Sequence, residues 1–414
     1  MHVLIVTPVY PHPASPTEGL FNQQHAQSLV RAGVKATVLV CKPWLPAVVA
    51  NRWERYRAWT CLDDFEEPEG VRVMFVRYLH IPRYRMYPLT VASCGRSILG
   101  KIHAMTSQTS FDVIQVHSSW PVGMAVPVAA DALHCPFVIT MHIEDDVHLV
   151  SRKTGSALYK RMLEKASAVV LVGRPLERFI QRWFLDVVNG HLRIIPNGVD
   201  LKMIQEVVET SGKKGGAGKR IVSVANLWPT KGIDANLRAL KELNRLGMRW
   251  DSYTVVGDGP ERRRLEKLAR ELDIADKVQF KGRLSHRDAL SEIARADIFS
   301  LPSWQEAFGV AYLEAMACGK PVIGCYGQGA EDIVRHGIDG LLVKCGDLED
   351  LTSAMKQLVG SSEYSCRLGE SAMSRAREFT WERNSKEYLK VYQDICSQSA
   401  DSSRSRNGQR ALQQ

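Results

Sequence analysis

The segment Ile298-Phe-Ser-Leu-Pro-Ser-Trp-Gln-Glu306-Ala-Phe-Gly309-Val-Ala-Tyr-Leu-Glu314-Ala-Met-Ala-Cys-Gly319-Lys-Pro-Val-Ile-Gly324 carries one complete strand, helix, strand repeat. Ile298–Leu301 reads as a short apolar strand, Gly309 to Cys318 as a helix and Pro321–Gly324 as the next strand. Strands joined through a helical crossover run parallel, and parallel sheets are covered on both faces. The apolar, nearly unbroken character of both strands fits that burial.

The same alternation continues outward. Upstream, strands are expected at Ile221–Ala225, Ser252–Val256 and Val278–Phe280, with helices from Ile233 to about Leu246, Glu261–Leu272 and Asp288–Ala294. In the first half, Val3–Thr7, Ala36–Val40, Val71–Arg77, Val113–His117, Phe137–Met141 and Ala168–Val172 read as strands, and Phe21–Ala32 and Gly155–Lys165 as helices. A polar Gly and Lys stretch, Thr210 to Lys219, interrupts the pattern. The 414 residues therefore divide into two α/β domains, 1–205 and 220–380, joined by a linker or exposed loop at 206–219. An amphipathic helix follows at 381–396, and a Ser, Arg and Gln-rich tail at 397–414 reads as disordered. Two domains of this size make a cleft available.

Composition excludes collagen-like, fibrous and disordered classes: 45% of residues are hydrophobic and 24% charged. The net charge of +9 invites a nucleic-acid reading, but residues 221–396 hold 25 basic and 26 acidic side chains. Much of the excess lies in the 211–220 stretch and the tail, so no dominant basic face is indicated. One local exception is Val71–Lys101, where Arg72, Arg77, Arg83, Arg85, Arg96 and Lys101 alternate with Phe75, Tyr78, Tyr84 and Tyr87 without an acid. Such a strip suits either an anionic membrane surface or an ordinary solvated face. The nine cysteines form no Cys-x-x-Cys pair and no zinc-like cluster, which fits reduced thiols in a cytosol. The apolar runs are too short for a membrane span, so any membrane association is expected to be peripheral.

In open α/β sheets, ligands bind beyond the carboxyl ends of the strands. The loop after the first strand is Pro-rich and ends at Gly19, just before a helix, without a Gly-x-Gly-x-x-Gly fingerprint. In Ala225-Asn226-Leu-Trp-Pro-Thr-Lys231-Gly232, a cation precedes a helix whose free N–H groups suit phosphate; alternatively, the lysine merely snorkels from a helix end. Val255-Val-Gly257-Asp-Gly259-Pro-Glu261 permits a tight turn or a ligand contact. Glu306 lies in a loop after a strand, and Glu314 follows eight residues later, about 80° from full turns of a helix, so both carboxylates can face one cleft. Carboxylates accept from vicinal diols, and a diphosphate can sit on the helix start between them. A capping Glu with a surface Glu would be the structural alternative, but Glu314 sits among Ala, Leu and Met, where an unpaired charge is costly.

Glu306 and Glu314 in Glu-Ala-Phe-Gly-(x)4-Glu-Ala-Met-Ala-Cys-Gly-Lys-Pro-Val resemble the Glu-x7-Glu motif of retaining, nucleotide-sugar-dependent family 4 glycosyltransferases of the GT-B fold. Segments 195–200, 255–261, 280–284 and 339–343 also resemble that family, and the N-terminal half does so more loosely through Gly19, His117-Ser-Ser-Trp120 and Thr140–Asp145. The resemblance implies two Rossmann-like domains facing across a cleft, with the C-terminal helix packing back towards the N-terminal domain. It implies that Glu314 binds ribose hydroxyls, that Glu306 faces the transferred sugar, and that Ala307, Phe308 and Gly309 line sugar and phosphate. Lys231 would neutralise the diphosphate and Gly19 would touch it from the other domain; Gly257, Gly259 and Arg283 fall in matching nucleotide-binding segments. His142 corresponds to a histidine near the donor sugar. Asn226 stands where the family commonly has Arg, and Ile143 where it commonly has Gly.

The implied reaction moves a sugar from a UDP- or GDP-sugar to a glycan or lipid-linked acceptor, in cell-surface polysaccharide assembly at the cytoplasmic membrane face. Glu306, His142 and Lys231 are then the catalytic candidates. No protein nucleophile is signalled, and no obligatory metal or other cofactor is expected, because Lys231 and helix ends can stabilise the leaving diphosphate. Glu144-Asp-Asp146 invites a metal reading, but metal-bound Asp-x-Asp belongs to the other glycosyltransferase fold. A GT-B phosphorylase or epimerase, a non-catalytic nucleotide-sugar-binding module and a nucleic-acid binder are the competing readings.

Overall fold

The computed structural model describes residues 1–13, 15–44, 46, 59, 62–81, 86–106, 110–142, 147–188, 190–212 and 218–411. The chain divides into two compact units, one formed by residues 1–172, 176–196 and 381–414, the other by 173–175 and 197–380.

The first unit is built on β1 (His2–Thr7), β2 (Lys35–Trp44), β3 (Phe65–Glu66), β4 (Arg72–Leu79), β5 (Val113–His117), β6 (Phe137–Met141), β7 (Ala168–Leu171) and β8 (Leu192–Ile194). Its order is β3-β4-β2-β1-β5-β6-β7-β8, parallel except for β3. Val3 pairs with Ala36 on one side and Val113 on the other, which makes β1 the strand from which the sheet winds both ways. The helices are α1 (Leu20–Arg31), α2 (Tyr87–Thr106), α3 (Met124–Leu133), α4 (Val147–Val150), α5 (Lys153–Lys165) and α6 (Arg174–Phe184). The C-terminal helix, Trp381–Ala411, returns to this unit because Tyr388, Val391, Tyr392 and Ile395, spaced three and four apart, form one apolar stripe. They join Ile5, Ala26, Leu29 and Val38 in the core. Each such side chain contributes about 1.5–3 kcal/mol by burial.

The second unit contains β9 (Lys219–Val224), β10 (Trp250–Val256), β11 (Val278–Gly282), β12 (Ile298–Ser300), β13 (Val322–Cys325) and β14 (Gly340–Val343). All are parallel, in the order β11-β10-β9-β12-β13-β14. Counted within the unit this is 3-2-1-4-5-6, the doubly wound order whose crevice opens where the winding reverses. Here the reversal lies between β9 and β12. Its helices are α7 (Leu201–Thr210), α8 (Ile233–Arg245), α9 (Arg262–Glu271), α10 (His286–Arg295), α11 (Val310–Ala317), α12 (Ala330–Ile333), α13 (Leu348–Gly360) and α14 (Ser362–Ala376). A buried polar cluster ties α8 to the sheet: Asn236 Nδ2 donates to the Ser300 carbonyl at 3.0 Å, and Ser300 Oγ donates to Asn236 Oδ1 at 2.8 Å.

Three expectations change. The unit boundary falls between Pro196 and Asn197, not at 205, because α7, capped by Asp200 and burying Ile204 and Val207, belongs to the second unit. The expected linker therefore splits: residues 206–210 are helical, Lys219 opens β9, and 213–217 lie outside the described residues. The C-terminal helix continues through Ala411 instead of ending at 396, in a segment free of proline. In the basic strip, Phe75, Tyr78 and Tyr87 are core residues, so the aromatic half of the expected surface points inward. Apolar exposure there comes from Leu79, Met86 and Leu89; Arg83, Tyr84 and Arg85 lie outside the described residues. No helix among the described residues is long and apolar enough to cross a membrane.

Candidate active site

In the second unit, the loops after β9 and β12 flank the reversal of winding and are stitched together by backbone and side chain. Trp304 N donates to the Thr230 carbonyl at 2.9 Å, and Ser303 Oγ donates to the same oxygen at 3.1 Å. Lys231 Nζ then donates to Glu306 Oε2 at 2.7 Å, with both side chains less than one fifth exposed. Glu306 is fixed from the other side as well: its N–H donates to Gln328 Oε1 at 3.0 Å, and its carbonyl accepts from Gly329 N at 2.8 Å. Ala307 and Phe308 are buried, and Gly309, with φ of 87°, forms the N-cap of α11.

Glu314, one turn into α11, meets His286, the first residue of α10. His286 Nε2 lies 2.6 Å from Glu314 Oε1. Burial alone would hold the imidazole neutral, but the hydrogen bond and charge of Glu314, with Asp200 behind, outweigh it and raise the His286 pKa. One carboxylate oxygen is thus engaged by His286, and no described hydrogen bond engages the other. His286 carried no motif signal, although its place two residues beyond the 280–284 segment and beside the cap Ser285 was the clue available.

The two glycines after β10 have a steric role of their own. Gly257 has φ of 125°, and a Cβ there would stand 1.9 Å from the Ala225 carbonyl oxygen. The Leu227 carbonyl occupies the same side of Gly259, and Leu227 N donates to the Asp258 carbonyl at 3.0 Å. Close approach of two loops therefore suffices to require both. Asn226 is exposed on the β9 loop. Arg283, also exposed, follows β11, two strands from the reversal; no described hydrogen bond or ion pair joins it to Lys231 or Glu306.

In the first unit, Gly19 caps α1 with φ of 72°, and a Cβ there would stand 2.6 Å from the Val9 carbonyl. Phe21, two residues on, lies 4.6 Å ring to ring from His142. His142 stacks against His117, with His117 Nδ1 2.7 Å from His142 Nε2. Burial, reinforced by His25, pushes the His142 pKa down to about 3, and burial with both neighbouring histidines holds His117 well below its usual value. Ile143, Glu144, Asp145 and Asp146 lie outside the described residues.

Comparison with known proteins agrees with this layout. Residues 21–198 match the glycosyl transferase 4-like domain, and residues 206–375 match the glycosyl transferases group 1 model. The D-inositol 3-phosphate glycosyltransferase of Stackebrandtia nassauensis is 30% identical over 324 residues, 71% of this chain and 70% of that one. This chain belongs to the group 1 glycosyltransferases, family 4, with the GT-B fold. The putative teichuronic acid biosynthesis glycosyltransferase TuaC of Bacillus subtilis is 27% identical to this glycosyltransferase over 368 residues, covering 86% and 88% of the two chains. Among solved structures, Anabaena HepE in complex with UDP-glucose superposes with a TM-score of 0.66 at 18% identity, over 97% of this glycosyltransferase and 100% of HepE. Within its second unit the fold brings Lys231 to Glu306, places Glu314 on the helix that follows, and adds His286 as a partner the sequence did not announce.

Proposed function

We propose that this glycosyltransferase moves a sugar from a UDP- or GDP-sugar to a hydroxyl of a glycan or lipid-linked acceptor with retention of configuration, in the assembly of a cell-surface polysaccharide. The observation that carries the reading is the Lys231–Glu306 pair at the reversal of strand order, with Glu314 on the adjoining helix. A cation paired with one carboxylate, a helix start beside them and a second carboxylate further along that helix are the set a nucleoside diphosphate joined to a sugar requires. HepE, whose fold this chain shares, is solved with UDP-glucose. TuaC supports the polysaccharide context.

In this reading Lys231 and the N–H groups at the start of α11 stabilise the charge that grows on the leaving diphosphate. Glu306 orients Lys231 and faces the sugar, and Glu314 holds the ribose. Gly19 and His142 take the roles the family resemblance assigns, a contact to the diphosphate and a place beside the donor sugar. The leaving phosphate accepts the acceptor proton, so neither a protein nucleophile nor a metal is needed.

The test is a thermal-shift screen with UDP- and GDP-sugars, because donor binding stabilises by mass action, followed by nucleotide-release assays with and without EDTA. Stabilisation by one nucleotide class and EDTA-resistant release that Glu306→Ala abolishes are expected. Loss of release in EDTA with recovery on adding magnesium would overturn the metal-free mechanism. No stabilisation by any nucleotide sugar would overturn the donor assignment.

A further inference from the structure

His117, Nδ1 to Nε2, stands 2.7 Å from His142, and their ring planes are within 17° of parallel. An N···N contact this short contains one proton, so one ring donates and the other accepts. Both rings are neutral, since burial opposes charge on each. Each therefore carries a single N–H, and two assignments are open.

If His142 donates from Nε2, then His117 must carry its proton on Nε2. That nitrogen is buried and has no hydrogen-bond partner among the described residues. His25, packed edge-on against His117 at 5.4 Å, does not supply one, because its two ring nitrogens already face Asn384 Oδ1 at 2.8 Å and Gln115 Oε1 at 2.9 Å. An orphaned buried N–H is among the costliest polar defects. If His117 donates from Nδ1 instead, its Nε2 is a bare lone pair, which tolerates the dry site better, and His142 accepts at Nε2 and carries its proton on Nδ1. The second arrangement wins on the cost of the orphaned atom.

We propose that His117 is a positioning residue that locks His142 in the Nδ1–H tautomer, so that His142 presents a hydrogen-bond donor, and not a base, to a hydroxyl of the donor sugar. The lock follows from the geometry of the first unit alone; the sugar as its recipient rests on the function proposed above. His142 then aids transfer by holding the sugar, not by taking a proton from the acceptor.

The full-length protein labelled with nitrogen-15 histidine, without ligand, tests the lock directly. Long-range proton–nitrogen correlation spectra, assigned with His117→Asn and His142→Asn, should show both rings protonated at Nδ1 and bare at Nε2, unchanged between about pH 6 and pH 8. A proton on Nε2 of His142 overturns the lock whatever the activity. The functional arm measures nucleotide release with UDP-glucose, or GDP-glucose if only that donor reacts. His117→Asn keeps an N–H near the Nδ1 position and should retain kcat within about threefold, whereas His117→Leu should lose about tenfold in kcat, the size of one hydrogen bond in the transition state, with donor KM changing less. Equal kcat in these two variants at matching melting temperatures overturns the positioning role. Full activity of His142→Leu, which carries no donor, overturns the sugar contact, with the tautomer pair intact.

Discussion

Lys231 Nζ and Glu306 Oε2, 75 residues apart in sequence and 2.7 Å apart in space, join the two loops that flank the winding reversal of the second sheet. Neither side chain is well solvated, so each neutralises a charge the other would find costly. The pair also keeps the lysine from folding back into solvent, which in the proposed reaction preorganises it for the diphosphate.

The double-mutant cycle of Lys231→Ala and Glu306→Ala should therefore be non-additive. Each single change leaves a half-buried charge behind, and the double change leaves none, so its melting temperature should exceed the additive value by a coupling of about 0.5–3 kcal/mol. Nucleotide release by Lys231→Ala should fall on the order of 100-fold or more. Strict additivity in thermal denaturation would show that the contact carries no energy.

The His286–Glu314 pair has a pH signature. Because the folded protein raises the His286 pKa above 6.5, its stabilising effect is complete below that value and disappears as the pH rises through the raised one. The melting-temperature gap between wild type and His286→Gln should thus be widest near pH 6 and narrow towards about pH 8.5. A gap constant across the range would mean that His286 carries no proton in the pair.

His25, His117 and His142 have the opposite sign. Their folded pKa values are depressed by burial, so the stability they confer is present above the unfolded value of 6.5 and is lost as the pH falls below it. Acidification from about pH 7.5 to pH 5 should lower the melting temperature of wild type more than that of the double variant His117→Asn, His142→Asn. Parallel curves would contradict buried, neutral rings.

Gly257→Ala should be destabilising, not merely inactivating. Its φ of 125° is unfavourable for alanine, and the new Cβ would collide with the Ala225 carbonyl, so the β9 and β10 loops must part. A loss of at least about 2 kcal/mol in denaturant titration is expected; a wild-type midpoint would show that the turn relaxes freely.

Local pattern was enough to find the strands around Glu306. Apolar runs bounded by glycine and proline mark Val3–Thr7 or Ile298–Leu301 without reference to anything distant, since burial on both faces of a parallel strand is written in consecutive residues. The short β8 was not legible for the converse reason: Leu192–Ile194 is an edge strand, only partly covered. Glu306 and Glu314 were readable because a loop and the helix it enters form one contiguous segment.

By itself, the sequence determined that this protein is a two-domain parallel α/β chain of the GT-B class with a carboxylate pair on one loop and helix. Only the tertiary structure decided that Lys231 belongs to Glu306, His286 to Glu314 and His117 to His142, and that Tyr388 and Tyr392 close the core of the first unit. The physical reason is that periodicity records how deeply each residue is buried, whereas its partner is set by strand order and crossover. The 3-2-1-4-5-6 winding lays the loop after β9 beside the loop after β12 although five elements of chain separate them, and no local signal carries that neighbourhood.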